Sequence, residues 1–310
     1  MATDADNLND FLDPRALARV KSLELRTRRV VEGLMQGRHR SPHQGSSVEF
    51  AQHRPYVQGD DVRHIDWKVF GRSDKLHIKQ FQEETQLQII LAVDASESMD
   101  FGTVTSHRGR DTWTKFDHAT TLAATLAYLA TLRSDAVGLA IFDESLIRYV
   151  RPSATRGQWR TLVNELQAVP RWNKTGVGGV LRQLAGKIKG RSLVVVLSDF
   201  FDDPVDIEKG LKALRFRNHD LVCLQLLDPE ETAFRYDDVT LFKGMEEAGE
   251  LLIEPKALRQ GYLDALASHH DAVSRICGKI DTDFERFDTG ESLEMPLSVF
   301  LAGRGARLRR

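Results

Sequence analysis

Leu87-Gln-Ile-Ile-Leu-Ala-Val93, followed at once by Asp94-Ala-Ser96-Glu-Ser98, decides the fold. A mostly aliphatic run of seven reads as a buried strand of a parallel sheet, because such strands are covered on both faces and do not alternate. The polar cluster falls just past the strand's carboxyl end, where open α/β sheets place their ligand sites. One carboxylate and two hydroxyls spaced two residues apart can turn three oxygens toward one point. Hard divalent cations take such a donor set, and Mg²⁺ keeps waters or a ligand oxygen in its remaining positions. Taken alone, the pentapeptide also reads as an Asp/Ser turn bonded to its own backbone.

A second acidic strand end weighs against the plain turn. Leu193-Val-Val-Val-Leu197-Ser198-Asp199 is again an aliphatic run closed by a carboxylate. Between the two, Asn173-Lys-Thr175-Gly176-Val-Gly178-Gly179 offers a hydroxyl in a loop that opens a helical pattern at Val180, Leu181, Leu184 and Ile188. Three polar elements in this order resemble the metal-ion-dependent adhesion site of von Willebrand factor A domains. The resemblance implies a first loop of Asp94, Ser96 and Ser98, a second carrying Thr175 and a third carrying Asp199. Thr161 and Ser153 compete with Thr175 for the second role.

Strands alternate with helices on either side of these runs, which predicts a mostly parallel α/β sheet with helices on both faces. Helical spacing runs through Lys115–Arg133, with Phe116, Ala119, Leu122, Ala123, Leu126 and Ala130 apolar. Val137–Phe142 is the next strand, and Leu146–Val150 an antiparallel edge strand. A helix follows at Trp159, Leu162, Val163 and Leu166 and stops before Pro170. Beyond Asp199 come a helix over about 205–215, a strand at 220–227, a last strand at 250–253 and a long helix over 257–280. Asp202-Asp203 before Pro204 reads as an acidic helix start favoured by the dipole. Residues 8–36 carry a helical pattern broken near Pro14, and Arg304–Arg310 a frayed tail. The expected organisation is a helical segment over 1–36, a small strand-and-loop module over 37–86, a von Willebrand A-like, Rossmann-like domain over 87–280 and a C-terminal extension over 281–310.

The module ahead of the sheet carries Glu49-Phe50, Arg54-Pro-Tyr56, Gly59-Asp60-Asp61-Val-Arg63-His-Ile65-Asp66-Trp67, Gly71-Arg72 and Lys79-Gln-Phe81-Gln-Glu83. This spacing resembles domain-of-unknown-function family 58, in which such a stretch leads into a von Willebrand A-type domain. The resemblance runs from about His39 to Asp228-Pro229-Glu230. It implies an association with MoxR-type AAA+ ATPases in complex assembly or maturation. Family members often carry membrane helices near the N-terminus, whereas this sequence shows none there. Physically, Gly59-Asp60-Asp61 is a turn signal, and Arg54, Arg63 and Arg72 supply forks for Asp60, Asp61 and Asp66. Trp67 and Ile65 are expected to pack beneath them in a salt-bridged structural module. A partner-docking surface is the functional alternative.

Composition narrows the rest. Across 310 residues the formal charge is −2 with 28% charged residues, so no global field favours nucleic acid. Residues 15–40 hold eight Arg/Lys against two acidic residues, which reads as a solvated helix face. His39, His43, His53, His64 and His77 fit no zinc spacing, and Cys223 and Cys277 give no disulfide framework. The polar Met1-Ala-Thr-Asp-Ala-Asp start is unlike a secretory signal, and no apolar stretch is long enough to span a bilayer, so the cytoplasm is the expected location. There is no G-x-x-x-x-G-K-[ST] loop and no G-x-S-x-G elbow. A haloacid-dehalogenase reading needs a second Asp where Ser96 stands. The expectation is therefore a non-enzymatic adaptor that holds Mg²⁺, or Mn²⁺, at Asp94, Ser96, Ser98, Thr175 and Asp199 and binds a partner's Asp or Glu carboxylate. A metal-dependent phosphohydrolase or nuclease using Asp94 and Asp199 is the alternative.

Overall fold

The computed structural model describes residues 23–32, 34, 50–58, 65–81, 87–105, 112–168, 174–236, 240–243 and 250–307. The chain forms two compact units, Arg40–Gln86 and a larger one built from Met1–His39 with Leu87–Arg310. In chain order, the first described element of the larger unit is helix α1 (residues 23–32). The small unit contributes β1 (Phe50–Pro55), α2 (Trp67–Ser73) and β2 (His77–Phe81). The larger unit resumes with β3 (Gln88–Asp94), β4 (Val104–Thr105), β5 (Thr112–Trp113), α3 (Lys115–Leu132), β6 (Ala136–Phe142) and β7 (Leu146–Ser153). It continues with α4 (Gln158–Ala168), α5 (Val177–Lys187), β8 (Leu193–Ser198), α6 (Pro204–Phe216), β9 (Asp220–Leu227) and α7 (Pro229–Ala233). Last come β10 (Thr240–Lys243), β11 (Glu250–Ile253), α8 (Pro255–Lys279), β12 (Asp283–Asp288) and α9 (Glu294–Arg307).

Six strands make the main sheet in the order β12-β9-β8-β3-β6-β7, parallel throughout except for β7, which runs antiparallel at the edge. β3 lies at the centre because its residues are apolar on both faces. Leu91 and Val93 turn to one side with α1, α3, α4 and α9, while Ile90 and Ala92 turn to the other with α5, α6 and α8. The α/β architecture, with helices on both faces, is von Willebrand A-like. The chain crosses from β7 at one edge back to β8 beside β3, so the sheet's direction of winding reverses between β3 and β8. Open sheets bind ligands at such a switch point.

Two expectations are corrected at the carboxyl end. The strand at 250–253 is not part of the main sheet; it pairs with β10 in a separate antiparallel ribbon. The sixth strand is instead β12, in the stretch read as a C-terminal extension. Its sequence, Asp-Phe-Glu-Arg-Phe-Asp, is too charged to read as a sheet strand. As an edge strand it needs only Phe287 and Phe284 to face the two cores. Residues expected to fray are also structured, since α9 continues to Arg307.

α5 and α6 pack with their backbones almost touching. A Cβ built on Gly178 would lie 2.2 Å from the Asp206 carbonyl oxygen, and one on Gly210 would lie 2.8 Å from the Gly178 carbonyl oxygen. Only glycine fits at this crossing. The loop carrying Thr175 thereby sits beside the start of α6.

In the small unit, β1 and β2 form an antiparallel hairpin-like pair, and Ile65 bridges to Ile78, both buried. Asp66 caps α2 by accepting from the Lys68 and Val69 backbone N–H groups. Trp67 is not beneath a salt-bridged cover as expected. It is 62% exposed, with its ring edge-on to Phe70. Its place as the first residue of a short surface helix turns it outward, while Ile65, two residues earlier on an extended segment, turns inward. Gly59, Asp60, Asp61 and Arg63 of the turn motif lie outside the described residues, as do His39, His43 and His64.

Candidate functional site

Asp94 ends β3 and is fully buried. Its Oδ1 accepts the Ser96 backbone N–H at 2.9 Å, and its Oδ2 accepts the Ser198 hydroxyl at 2.6 Å. The chain then turns through a short 3₁₀ segment, Glu97–Asp100, which lifts Ser98 beside Ser96, hydroxyl to hydroxyl 3.2 Å. Across the crossover, Thr175 at the mouth of α5 places its Oγ1 3.4 Å from the Ser98 Oγ. Asp199 follows β8, also fully buried, with Oδ1 accepting the Phe201 backbone N–H at 3.1 Å. All five residues predicted from the sequence therefore meet at the carboxyl edge of the sheet.

The competitors for the second loop sit elsewhere. Ser153 pairs with Val137 at the start of β6, which is the opposite end of the sheet, and bonds Thr155. Thr161 donates back to the Gly157 carbonyl just ahead of α4. Asp203 is the N-cap of α6, accepting from Val205, which matches a helix-start reading. Asp202 does something different, accepting the Gly178 backbone N–H at 3.1 Å and tying the third loop to α5.

Three residues that pattern reading passed over complete the site. Ser198 bridges two loops, donating to Asp94 while accepting the Phe200 N–H at 2.8 Å. Lys115, the first residue of α3, is fully buried and bonds Asp199 Oδ2 at 2.8 Å and Glu231 Oε1 at 2.6 Å. Glu231 uses its other oxygen to accept the Asp228 backbone N–H in the capping box of α7. A lysine at the first position of a helix opposes the macrodipole, and that was the available signal. Phe200 is a further oddity: fully buried, it holds a left-handed backbone at φ 59° in the loop between Asp199 and α6.

The electrostatics follow from burial. Asp94 is raised from 3.8 to about 7, first by desolvation and next by the Asp199 charge, against the lowering bonds from Ser198 and Ser96. Burial also opposes the charge on Lys115, but Asp199 and Glu231 outweigh it and raise the lysine. Burial lifts Glu231 despite its lysine partner. Among the described residues no three His, Cys, Asp or Glu side chains group as a metal site. A cation here would rely on hydroxyl oxygens beside Asp94. That donor set fits a hard divalent ion, all oxygens and no sulfur or imidazole.

Asp94 makes a pH dependence. Its folded value lies above its unfolded one, so its contribution to stability is complete below about pH 4 and is lost as pH rises through about 7. In chelator, the denaturation midpoint is expected to fall between about pH 5 and about pH 8, and Asp94→Asn is expected to flatten that fall. An equal fall in Asp94→Asn would assign it to other groups.

Among solved structures, BatB from Bacteroides thetaiotaomicron is similar at 14% identity, covering 71% of this chain and 99% of that one, with a TM-score of 0.46. An aerotolerance-related membrane protein from Bacteroides fragilis is similar at 15% identity, covering 65% and 92%, with a TM-score of 0.44. The SpRpn10 VWA domain is similar at 14% identity, covering 69% and 94%, with a TM-score of 0.37. The cytoplasmic expectation is corrected on this ground: similar structures include proteins named for the membrane. No described helix is long and apolar enough to cross a membrane. By sequence, the uncharacterized protein Rv1480 of Mycobacterium tuberculosis is 29% identical over 280 residues, 87% of this chain and 84% of that protein. The sequence model of the family described as protein of unknown function DUF58 matches residues 52–272, spanning most of the small unit and the whole switch-point site, and the chain belongs to that family.

Proposed function

We propose that this chain is a non-enzymatic binding protein. Its switch-point site would take Mg²⁺, or Mn²⁺, on Asp94, Ser96, Ser98, Thr175 and Asp199, and would recognise an acidic side chain of a protein partner. Von Willebrand A-like domains generally mediate protein interactions, which supports a binding role. The observation that supports the finer reading is the run of three hydroxyls, Ser96 to Ser98 to Thr175, that leads away from a buried Asp94 whose charge is opposed by Asp199. A bound divalent cation would neutralise Asp94 and present an open position to a carboxylate. The chain's own part is to hold these oxygens. Ser198 orients Asp94, the short 3₁₀ segment fixes Ser98, and the loop that opens α5 presents Thr175. The partner class suggested by the family resemblance is a MoxR-type AAA+ ATPase, which would supply the energy from its own nucleotide.

The neutral hydroxyls predict weak, exchangeable binding. At cation concentrations of about one to ten times the dissociation constant, stabilisation should be ~0.4–1.4 kcal/mol, read as a melting shift reversed by EDTA. Calorimetry should show the heat of Mg²⁺ binding vanish in Asp94→Ala. Capture of a purified MoxR-type ATPase should need the cation and be lost in Ser96→Ala/Ser98→Ala with the fold intact. Cation binding that survives Asp94→Ala would move the site. A phosphoester hydrolysed with Mg²⁺ and spared in Asp94→Ala would have another source, whereas its loss there would favour the hydrolase reading.

A further inference from the structure

The two buried carboxylates of the site are not equivalent. Asp94 accepts from neutral donors, the Ser96 N–H and the Ser198 hydroxyl. Asp199 instead has a full positive charge on one oxygen, Lys115 Nζ at 2.8 Å, and the Phe201 N–H on the other. The lysine is held firmly. It has no exposure, and it lies 4.9 Å from the centre of the Phe201 ring and 5.9 Å from that of Phe101. Its second anchor, Glu231, is fixed in turn by the cap of α7. An ammonium held beside two carboxylates and two aromatic faces is an ion already installed in the chain, at the edge of the place a dissolved cation would occupy.

We infer that Lys115 is an internal counter-ion that competes with a divalent cation for Asp199 and so sets how tightly the site holds metal. The inference rests on the cation-binding reading above. While Lys115 holds Asp199, the charge offered to an incoming ion comes mainly from Asp94. The site stays folded without metal, and metal exchanges readily. Removing the ammonium releases an Asp199 oxygen and strengthens cation binding. Glu231 acts on the same balance by sharing the lysine.

Mn²⁺ titration of the full chain, followed by the loss of the free-ion electron paramagnetic resonance signal, tests this. Lys115→Met should bind Mn²⁺ about tenfold or more tightly than the native chain, since a like charge close to a partly buried cation is costly. That variant leaves two buried carboxylates without their cation and could fail to fold. Lys115→Met/Glu231→Gln removes one charge of each sign and leaves the net charge of the cluster unchanged. Tighter binding in the double variant therefore reports the released Asp199 rather than the general field. Native binding that is lost in Asp94→Asn but unchanged or weakened in a folded lysine variant would overturn the role of Lys115 and leave the cation site standing. Binding seen only in the lysine variants would support competition in its strongest form. No binding in any variant would sink the cation reading and this inference together.

Discussion

Lys115→Met should cost about 3–5 kcal/mol of folding stability, the usual result of breaking a buried ion pair from one side. The figure comes from what is left behind. Asp199 and Glu231 are both largely or wholly out of water, and neither can recover a cation by a small rotation, because each has its second oxygen committed to a backbone N–H. The intact triad need not be strongly stabilising, since burial works against both Lys115 and Glu231. Guanidinium unfolding of Lys115→Met beside Lys115→Met/Glu231→Gln separates the two. The double variant should regain part of the loss by deleting one stranded charge. A Lys115→Met midpoint equal to that of the native chain would mean that the lysine lies outside the network described.

Phe200→Ala should be nearly as damaging, at about 3–5 kcal/mol, because a fully buried aromatic ring is removed and the surroundings can collapse only in part. The ring stands edge-on to Phe284 of β12, 6.3 Å between centroids, so its loss also loosens the last strand of the sheet. The backbone adds a discriminating test. Glycine in place of alanine normally costs up to about 1 kcal/mol through chain entropy. At a left-handed position the penalty of roughly 1–2 kcal/mol for a Cβ disappears instead. Phe200→Gly is therefore expected to be at least as stable as Phe200→Ala. Thermal melts of the two variants decide it, and a clearly weaker glycine variant would count against left-handed strain at φ 59°.

The strand runs, and the placing of Asp94, Ser96, Ser98, Thr175 and Asp199 at one end of the sheet, were legible in the sequence for one reason. A buried parallel strand needs continuous aliphatic side chains, and polar residues stranded just beyond it stand out. Where that contrast fails, reading fails. β12 is an edge strand whose charges face solvent, so Asp283–Asp288 carries no aliphatic run, and its place in the sheet was given to Glu250–Ile253. Trp67 was misjudged because size alone suggested burial, while the direction a residue faces at a helix start depends on the cap, here Asp66. Glu231 was missed because an acid at the first turn of a helix is ordinary, and Lys115, although it opposes the dipole there, gave no sign of what it pairs with. Their pairing depends on two helix starts converging on Asp199 from distant parts of the chain, which no local pattern records.

The bare crossing of Gly178 and Gly210 has a mechanical consequence. With no side chain to act as a cushion, α5 and α6 cannot slide or roll independently, and the Asp202 carboxylate on the Gly178 amide pins them at the site end. The two helices form one plate. Thr175 is mounted on one corner, and Asp203 caps the neighbouring one. Ser96 and Ser98 follow β3, at the centre of the sheet on which the plate is packed. Whatever bridges Ser98 and Thr175 therefore ties the central strand to the end of this plate, which is one thirteen-residue helix long, about 20 Å at 1.5 Å per residue.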